Sequence, residues 1–389
     1  MTKHSEAGMI IGVDGKRAVY NHTGLGNYSR YYLNIMSLAF PSAHFRAYTP
    51  GFVENEELKP LLERGNIEFI EPQPRRKNGL SRALWRTVNM PLQLKDDEVS
   101  VYHGLSNELP LTIKGVCPTV CTIHDLIYRR IPQDYSAIDR RLYDFKYGRS
   151  ARIATRVIAI SECTRRDLVA DYDIDPDKID VIYQGVDPIF SITPDSVKRA
   201  EIREKYSLPA DFILSVGTVQ SRKNLMLAVR ALPHLPASVH LIIIGRMDSA
   251  YADEVKREIS RLGLSERVRR LENVPFADLP AIYANARLST YTSRYEGFGL
   301  PVVESLSMGT PVIAATGSCL EEAGGEGAVY VNPDDVAAYA EAALHLLDDR
   351  VFYDKTVRLG LKHIRRFSAE KFAKSTMACY KKAILSELV

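Results

Sequence analysis

Thr290-Tyr-Thr-Ser-Arg-Tyr-Glu-Gly-Phe-Gly-Leu-Pro-Val-Val-Glu-Ser-Leu-Ser-Met-Gly-Thr-Pro-Val-Ile-Ala-Ala315 is the stretch on which the reading of this chain turns. Residues Arg287 to Thr290 read as the end of a buried strand. Glu296-Gly297-Phe298-Gly299 reads as a turn whose two glycines can take positive φ and leave their N–H groups exposed. Pro301 suits the first turn of a helix, where its missing N–H would be unpaired anyway. The helix is expected to run to Met308, with Gly309 stopping it before a strand from Thr310 to Ala314. Glu296 then stands at the mouth of a helix N-terminus and Glu304 about two turns along it. Such a terminus attracts anions and ligand oxygens, so the two carboxylates can grip separate parts of one elongated ligand.

Upstream of that stretch lies a strand–helix series. Strand Phe212–Val216 ends at Gly217-Thr218-Val219-Gln220-Ser221-Arg222-Lys223-Asn224, and a helix begins near Leu225. Two adjacent cations between a strand end and a helix start suit a diphosphate. Strand Leu241–Ile244 ends at Gly245-Arg246, and Val274-Pro275-Phe276 precedes a helix carrying Leu279 and Tyr283. Beyond residue 315, Glu321-Glu322 is expected to open a loop, Gly327–Val331 a strand, and three amphipathic helices finish the chain.

The N-terminal half repeats the pattern. Met9–Val13 is a short apolar strand ending at Asp14, and Thr23-Gly24-Leu25-Gly26-Asn27-Tyr28 leads into an apolar helix through Leu38. Strand, glycine-rich turn and helix make a phosphate cradle, although the full dinucleotide fingerprint is absent because residue 29 is Ser. Strand-like runs follow at 44–48, 67–70, 99–103, 119–123, 156–160 and 179–183, several separated by helical patterns. That alternation predicts a parallel sheet with helices on both faces, whose ligand crevice lies beyond the carboxyl ends of the strands. His103, Glu108, His124 and Asp125 are expected there.

Composition bounds the rest. A chain of 389 residues, 46% hydrophobic and 25% charged, has material for two cores, and a net charge of +3 gives no argument for a nucleic-acid partner. Five scattered cysteines suggest buried thiols in a reducing compartment. No signal peptide and no run of about eighteen apolar residues is evident, so a cytoplasmic protein is expected. The overlapping Asp-x-Asp pairs of 171–177 follow a helix and read as turn residues; no metal and no cofactor is expected. Residues 140–156 carry Arg140, Arg141, Lys146, Arg149, Arg152 and Arg156 with Tyr143, Phe145 and Tyr147 interleaved. Their plain account is a solvated helix face, their sharper one peripheral contact with anionic lipid at the cytoplasmic membrane.

A glutamate, Gly-Phe-Gly-Leu-Pro and a second glutamate eight positions after the first resemble the signature of the retaining nucleotide-sugar glycosyltransferases of family four. The resemblance runs over about residues 9 to 387. It implies an α/β GT-B fold: a Rossmann-like acceptor-side domain over 1–190, a nucleotide-sugar-binding one over 191–368 facing it across a cleft, and a helix, 369–389, crossing back to the first. It gives Glu296 the donor sugar, Glu304 the ribose hydroxyls, and Arg222 and Lys223 the pyrophosphate, with Gly24, Gly26, Gly217, Gly245, Phe276, Gly297, Phe298, Gly299 and Leu300 completing the donor contacts. Thr218 departs from the pattern, since many relatives carry arginine there. Ile123-His124-Asp125-Leu126 resembles the family's His-Asp motif, which makes His124 a catalytic candidate and places Asp14, His103 and Asp125 on the acceptor side. The activity implied is metal-independent, front-face transfer of a hexose, with retention, to a saccharide or lipid-linked hydroxyl. The loops around His124 and Lys223 look most like those of bacterial mannosyltransferases that use GDP-mannose for O-antigen or related polysaccharides. UDP-glucose and UDP-N-acetylhexosamine donors, a nucleotide-sugar epimerase and a silent binding partner stay open.

Overall fold

A computed structural model describes residues 8–73 and 78–387. The chain divides into two compact units, one of Met1–Leu126, Ser136–Gly185 and Ala369–Val389, the other of Ile127–Tyr135 and Val186–Ser368. The first unit thus closes at Gly185, and the short segment after Leu126 groups with the second.

The first unit holds β1 (Ile10–Asp14), β2 (His44–Tyr48), β3 (Ile67–Ile70), β4 (Val101–Gly104), β5 (Thr119–Ile123), β6 (Arg156–Ala159) and β7 (Ile179–Val181). They form one sheet in the order β3-β2-β1-β4-β5-β6-β7, every pairing parallel. Its core joins Ile11, Val13, Phe45 and Val101 of the sheet to Tyr28, Tyr32 and Met36 of the helix Gly24–Ala39. Phe372, Met377 and Tyr380 of the terminal helix Ala369–Ser386 enter the same core. The last helix is therefore part of the first unit.

The second unit holds β8 (Asp211–Val216), β9 (Val239–Ile244), β10 (Val268–Leu271), β11 (Leu288–Tyr291), β12 (Val312–Ala315) and β13 (Ala328–Val331), in the order β10-β9-β8-β11-β12-β13 and again parallel. Alternate residues of each strand feed opposite faces. Ile213, Leu241 and Ile243 enter one core, while Phe212, Leu214 and Ile242 enter another on the far side. Both sheets are the doubly wound kind in which strand order reverses beside the first strand. Each unit is Rossmann-like, as the GT-B resemblance implies.

Four local expectations need correction. The helix after Gly299 spans Leu300–Ser307, and only Gly299 of its two turn glycines has positive φ, at 112°. Gly24 and Gly26 do not form a loop; they are the first turn of their helix. Glu321-Glu322 lies in a helix, Leu320–Gly324. His103 lies inside β4, not beyond it, fully buried. The reading of 171–177 as turn residues holds from Asp173 onward, whereas Asp171 lies inside the helix Glu162–Tyr172: Asp173 takes the left-handed conformation at φ 53°, and the Asp175 side chain accepts from the Asp177 N–H at 2.9 Å.

Candidate active site

In the second unit the strand order reverses between β8 and β11, and the loops leaving those two strands meet. The β8 loop turns through a 3-10 segment, Ser221–Lys223, and ends at Asn224 with φ 53°. The backbone N–H of Arg294 donates to the Arg222 carbonyl at 2.7 Å, and the Thr292 hydroxyl donates to the Asn224 carbonyl at 3.0 Å. Glycine is required twice below them. A Cβ on Gly245 would meet the Gly217 carbonyl oxygen at 2.1 Å, and Gly217 itself has φ 138°.

On this frame four donors converge on one carboxylate oxygen. Glu296 Oε1 accepts from Arg222 Nη1 at 2.5 Å, Ser293 Oγ at 2.9 Å, Tyr291 OH at 3.0 Å and Lys223 Nζ at 3.1 Å. Burial pushes the Glu296 carboxyl up, but the Lys223 and Arg222 charges and the Ser293 bond outweigh it and hold it near about 2. Burial likewise disfavours the charge on Lys223, and Glu296 and Tyr291 more than restore it. Glu296 and Lys223 are therefore both ionised at neutral pH, while the Tyr291 hydroxyl, pushed up to about 12, stays neutral. One oxygen cannot bond four donors at full strength, so the cations retain capacity for a second anion.

Eight residues on, Glu304 is half-buried on the helix and accepts from Tyr283 OH at 3.1 Å. Burial pushes its carboxyl up to about 7 against that hydrogen bond, with the Asp187 charge adding to the rise. One short segment thus presents an ionised carboxylate and one poised at neutrality. The turn between them is pinned by Cys319, whose thiol lies 3.0 Å from the Glu296 carbonyl and 2.9 Å from that of Phe298. Phe298 packs inside against Phe367, whereas Phe276 is half-exposed at the corner before its helix and meets Phe190 edge-on.

In the first unit, His124 follows β5 and is nearly enclosed. Its backbone N–H donates to Asn107 Oδ1 at 2.7 Å, and its Nε2 donates to the Leu105 carbonyl at 2.8 Å. A carbonyl can only accept, so the proton sits on Nε2 and Nδ1 keeps its lone pair. Burial pushes the imidazole down to about 4, the Leu105 bond opposing and Arg17 adding, so the ring is neutral at pH 7. Asp125 follows, partly exposed.

Two acceptor-side expectations meet a different environment. His103 shares its Nδ1 with Tyr380 OH at 2.6 Å and its Nε2 with Thr122 Oγ1 at 2.7 Å, and burial pushes it down to about 3. Asp14 ends β1 at 1% exposure, paired with Arg86, which also holds Glu108 at 3.1 Å. Both side chains are committed within the unit's interior. The Gly26 N–H donates to Asn21 Oδ1 at 3.3 Å, and a Cβ there would meet the Asn21 carbonyl oxygen at 1.7 Å. Close packing thus explains Gly26 on its own, while a Cβ on Gly24 would meet nothing.

Tyr291 and Ser293 escaped the sequence reading although they lie inside the deciding stretch; an alternation of hydroxyls ahead of a glutamate was the available signal. Arg86 and Cys319 had none, being distant in sequence from what they hold. Among the described residues no group of three or more His, Cys, Asp or Glu side chains could hold a metal ion.

Comparison with known proteins gives two family matches: "Glycosyltransferase Family 4" over residues 44–190 and "Glycosyl transferases group 1" over residues 198–363. The O-antigen chain mannosyltransferase B of Escherichia coli is 28% identical over 386 residues, covering 93% of this chain and 97% of its own. The O-antigen chain mannosyltransferase RfbU of Salmonella typhimurium is 30% identical over 222 residues, 57% of this chain and 58% of its own. Among solved structures, a glycosyltransferase from Rickettsia africae superposes with TM-score 0.75 at 18% identity, over 98% of this chain and 99% of that one. An Anabaena protein, HepE, crystallised with UDP-glucose, superposes with TM-score 0.72 at 18% identity, over 98% of this chain and 100% of that one.

Proposed function

This chain is a family-four glycosyltransferase of GT-B fold, and from that premise we propose that it moves mannose from GDP-mannose to a hydroxyl of a saccharide or lipid-linked acceptor, with retention and without a metal. The observation that carries the reading is the convergence of Arg222 and Lys223 on Glu296. A donor diphosphate brings the charge that those cations can share, and as the nucleoside diphosphate leaves, its growing negative charge is met by groups already in place. Preorganised donors of this kind contribute roughly 3–4 kcal/mol each to the transition state. Glu296 takes the donor sugar hydroxyls and Glu304, once ionised, the ribose. His124 meets a sugar hydroxyl through the Nδ1 lone pair; at its depressed pKa it is no proton donor at pH 7. In front-face transfer the acceptor hydroxyl bonds to the anomeric carbon as the bond to the diphosphate breaks, and the leaving phosphate helps take the hydroxyl proton, so no side chain need act as nucleophile. Mannose as the sugar is favoured by the E. coli O-antigen mannosyltransferase, which aligns over 97% of its length; guanine as the base rests on the resemblance of the loops around His124 and Lys223 to those of enzymes that use GDP-mannose.

The test incubates the enzyme with GDP-mannose, UDP-glucose and UDP-N-acetylglucosamine, each with a panel of candidate acceptors, and measures free GDP or UDP. Acceptor-dependent GDP release, undiminished by exhaustive chelation, is the expected result. Release of UDP alone transfers the reading to a UDP-sugar donor, and an altered nucleotide sugar without release would mark an epimerase.

A further inference from the structure

At the carboxyl ends of β4 and β5 the first unit brings an aromatic pair close to two carboxylates. The loop after β4 turns at Asn107, which takes φ 64° and donates its N–H to the Thr122 carbonyl at 2.9 Å. The helix Ala137–Ile153 is fastened to the same loop: the Leu109 N–H donates to Ser150 Oγ at 2.9 Å, and Arg149 Nη1 to the Pro110 carbonyl at 3.4 Å. Residues four apart on a helix are neighbours. Tyr143 and Tyr147 accordingly stack, with ring centroids 5.5 Å apart and planes at 22°. Both are half-buried, as is Asp125.

The charges that act on this pair are negative. Burial pushes the Tyr147 hydroxyl up, and the Asp125 and Glu108 charges add to the rise against an Asn107 hydrogen bond. Asn107 also accepts from the His124 N–H at 2.7 Å, so one side chain sets Tyr147 beside the His124-Asp125 corner. Cations close by are already matched. Arg86, on the π-helical turn Trp85–Asn89, is divided between Asp14 and Glu108, and Lys146 turns to Glu108 at 3.3 Å. Aromatic rings beside a carboxylate suit a ligand that has an apolar face and hydroxyls to donate. They repel a phosphate.

We propose that this corner holds an uncharged pyranose of the acceptor, its C–H face on the tyrosine pair and one of its hydroxyls donating to the Asp125 carboxylate. The inference rests on the glycosyltransferase reading above and names the class of acceptor group which that reading leaves open. A pyranose fits because C–H bonds crowd one face of its ring while hydroxyls radiate from the rim. The carboxylates that receive those hydroxyls also discriminate against a phosphorylated sugar. Nothing in the arrangement depends on which nucleotide the donor carries.

The experiment is saturation-transfer NMR on the full chain, with GDP and UDP both present so that the donor site is filled whichever base it takes. The probes are the methyl glycosides of mannose, glucose, galactose and N-acetylglucosamine, with mannose 6-phosphate and glucose 6-phosphate as charged counterparts. Wild type should bind at least one neutral glycoside, and the phosphates at least ~10-fold more weakly. Tyr147→Ala and Asp125→Asn should each weaken that binding ~10-fold, whereas Tyr147→Phe, which keeps the ring, should stay within ~3-fold. Thermal melting reports whether each variant folds. No binding of any neutral glycoside by the wild type overturns the proposal, and so does tighter binding of the phosphates. Equal binding by Asp125→Asn and wild type overturns it too, and decides the matter if Tyr147→Ala does not fold. Equal losses in Tyr147→Ala and Tyr147→Phe do the same, since the ring face would then contribute nothing. A neutral glycoside bound with the expected variant effects, but without nucleotide release in the transfer assay, sustains the site while the reading of the reaction fails.

Discussion

The centres around Glu296 and His103 occupy matching places in two sheets of one design and are opposite in character. Each adjoins the strand, β11 or β4, that pairs with the first strand of its sheet on the side where order reverses. At Glu296 the buried groups are ionised and compensate one another. At His103 they are neutral: an imidazole, three tyrosine hydroxyls and a threonine linked from Tyr32 through Tyr380 and His103 to Thr122 and Tyr28. One topology thus supports a charged centre that a charged ligand can enter and a neutral one that fastens the terminal helix to the sheet. Whether a buried polar cluster serves chemistry or architecture follows from whether its charges can be shared with a ligand.

The sharpest way to break this contrast is to remove a cation. Arg222→Ala should lower the rate of sugar transfer by roughly 10²–10³, as measured by initial nucleotide release. It should also cost ~3 kcal/mol in denaturant unfolding, because it deprives the buried Glu296 of a partner. A sequence reading that places Arg222 in an open loop expects no such loss of stability; the structure corrects this. Rates unchanged in the folded variant would remove Arg222 from the chemistry.

Glu304 sharpens the contrast from inside the charged centre. Its folded pKa of about 7 lies above the ordinary 4.5, so the cost of ionising it in the fold begins near pH 4.5 and is complete above pH 7. Glu304→Gln carries no such cost. Its stability should therefore match wild type near pH 4.5 and exceed it by ~3 kcal/mol at pH 8 in urea titrations. Nucleotide affinity should rise between pH 6 and pH 8 in the wild type and stay flat in the variant. A wild-type affinity independent of pH over that range would mean that the ionised carboxylate does not hold the ribose.

The neutral centre gives the smallest effect. Tyr380→Phe leaves His103 Nδ1 without the hydroxyl it shares, and should cost ~1–3 kcal/mol of stability, read from chemical denaturation. Nucleotide affinity should not move.

Much of this was legible in the sequence. The strand runs at 44–48, 67–70 and 119–123 coincide with β2, β3 and β5, since short runs of β-branched and aromatic residues suit strands; β5 is buried throughout, while Arg46 and Glu68 mark the more exposed β2 and β3. That Arg222 and Lys223 turn to the same side as Glu296 was legible because the residue types were distinctive and each lay just beyond a strand; that they pair directly with its carboxylate was not. The neutral network was not. A histidine one residue before the end of a strand looks the same whether it faces a ligand or a tyrosine 277 positions later, as His103 and Tyr380 do. Gly26 was misleading for a related reason: a glycine demanded by close approach to Asn21 is spelled like one that cradles phosphate.

The most direct test of the central claim is calorimetric titration of GDP and UDP into wild type, Arg222→Ala and Tyr380→Phe at pH 8, each verified as folded by circular dichroism. The account predicts that whichever nucleotide the wild type binds is bound at least ~30-fold more weakly by Arg222→Ala, about the worth of one charge-assisted diphosphate contact, and equally well by Tyr380→Phe. Equal affinity in all three proteins would contradict it, because the cations at Glu296 would then not be where the diphosphate is held.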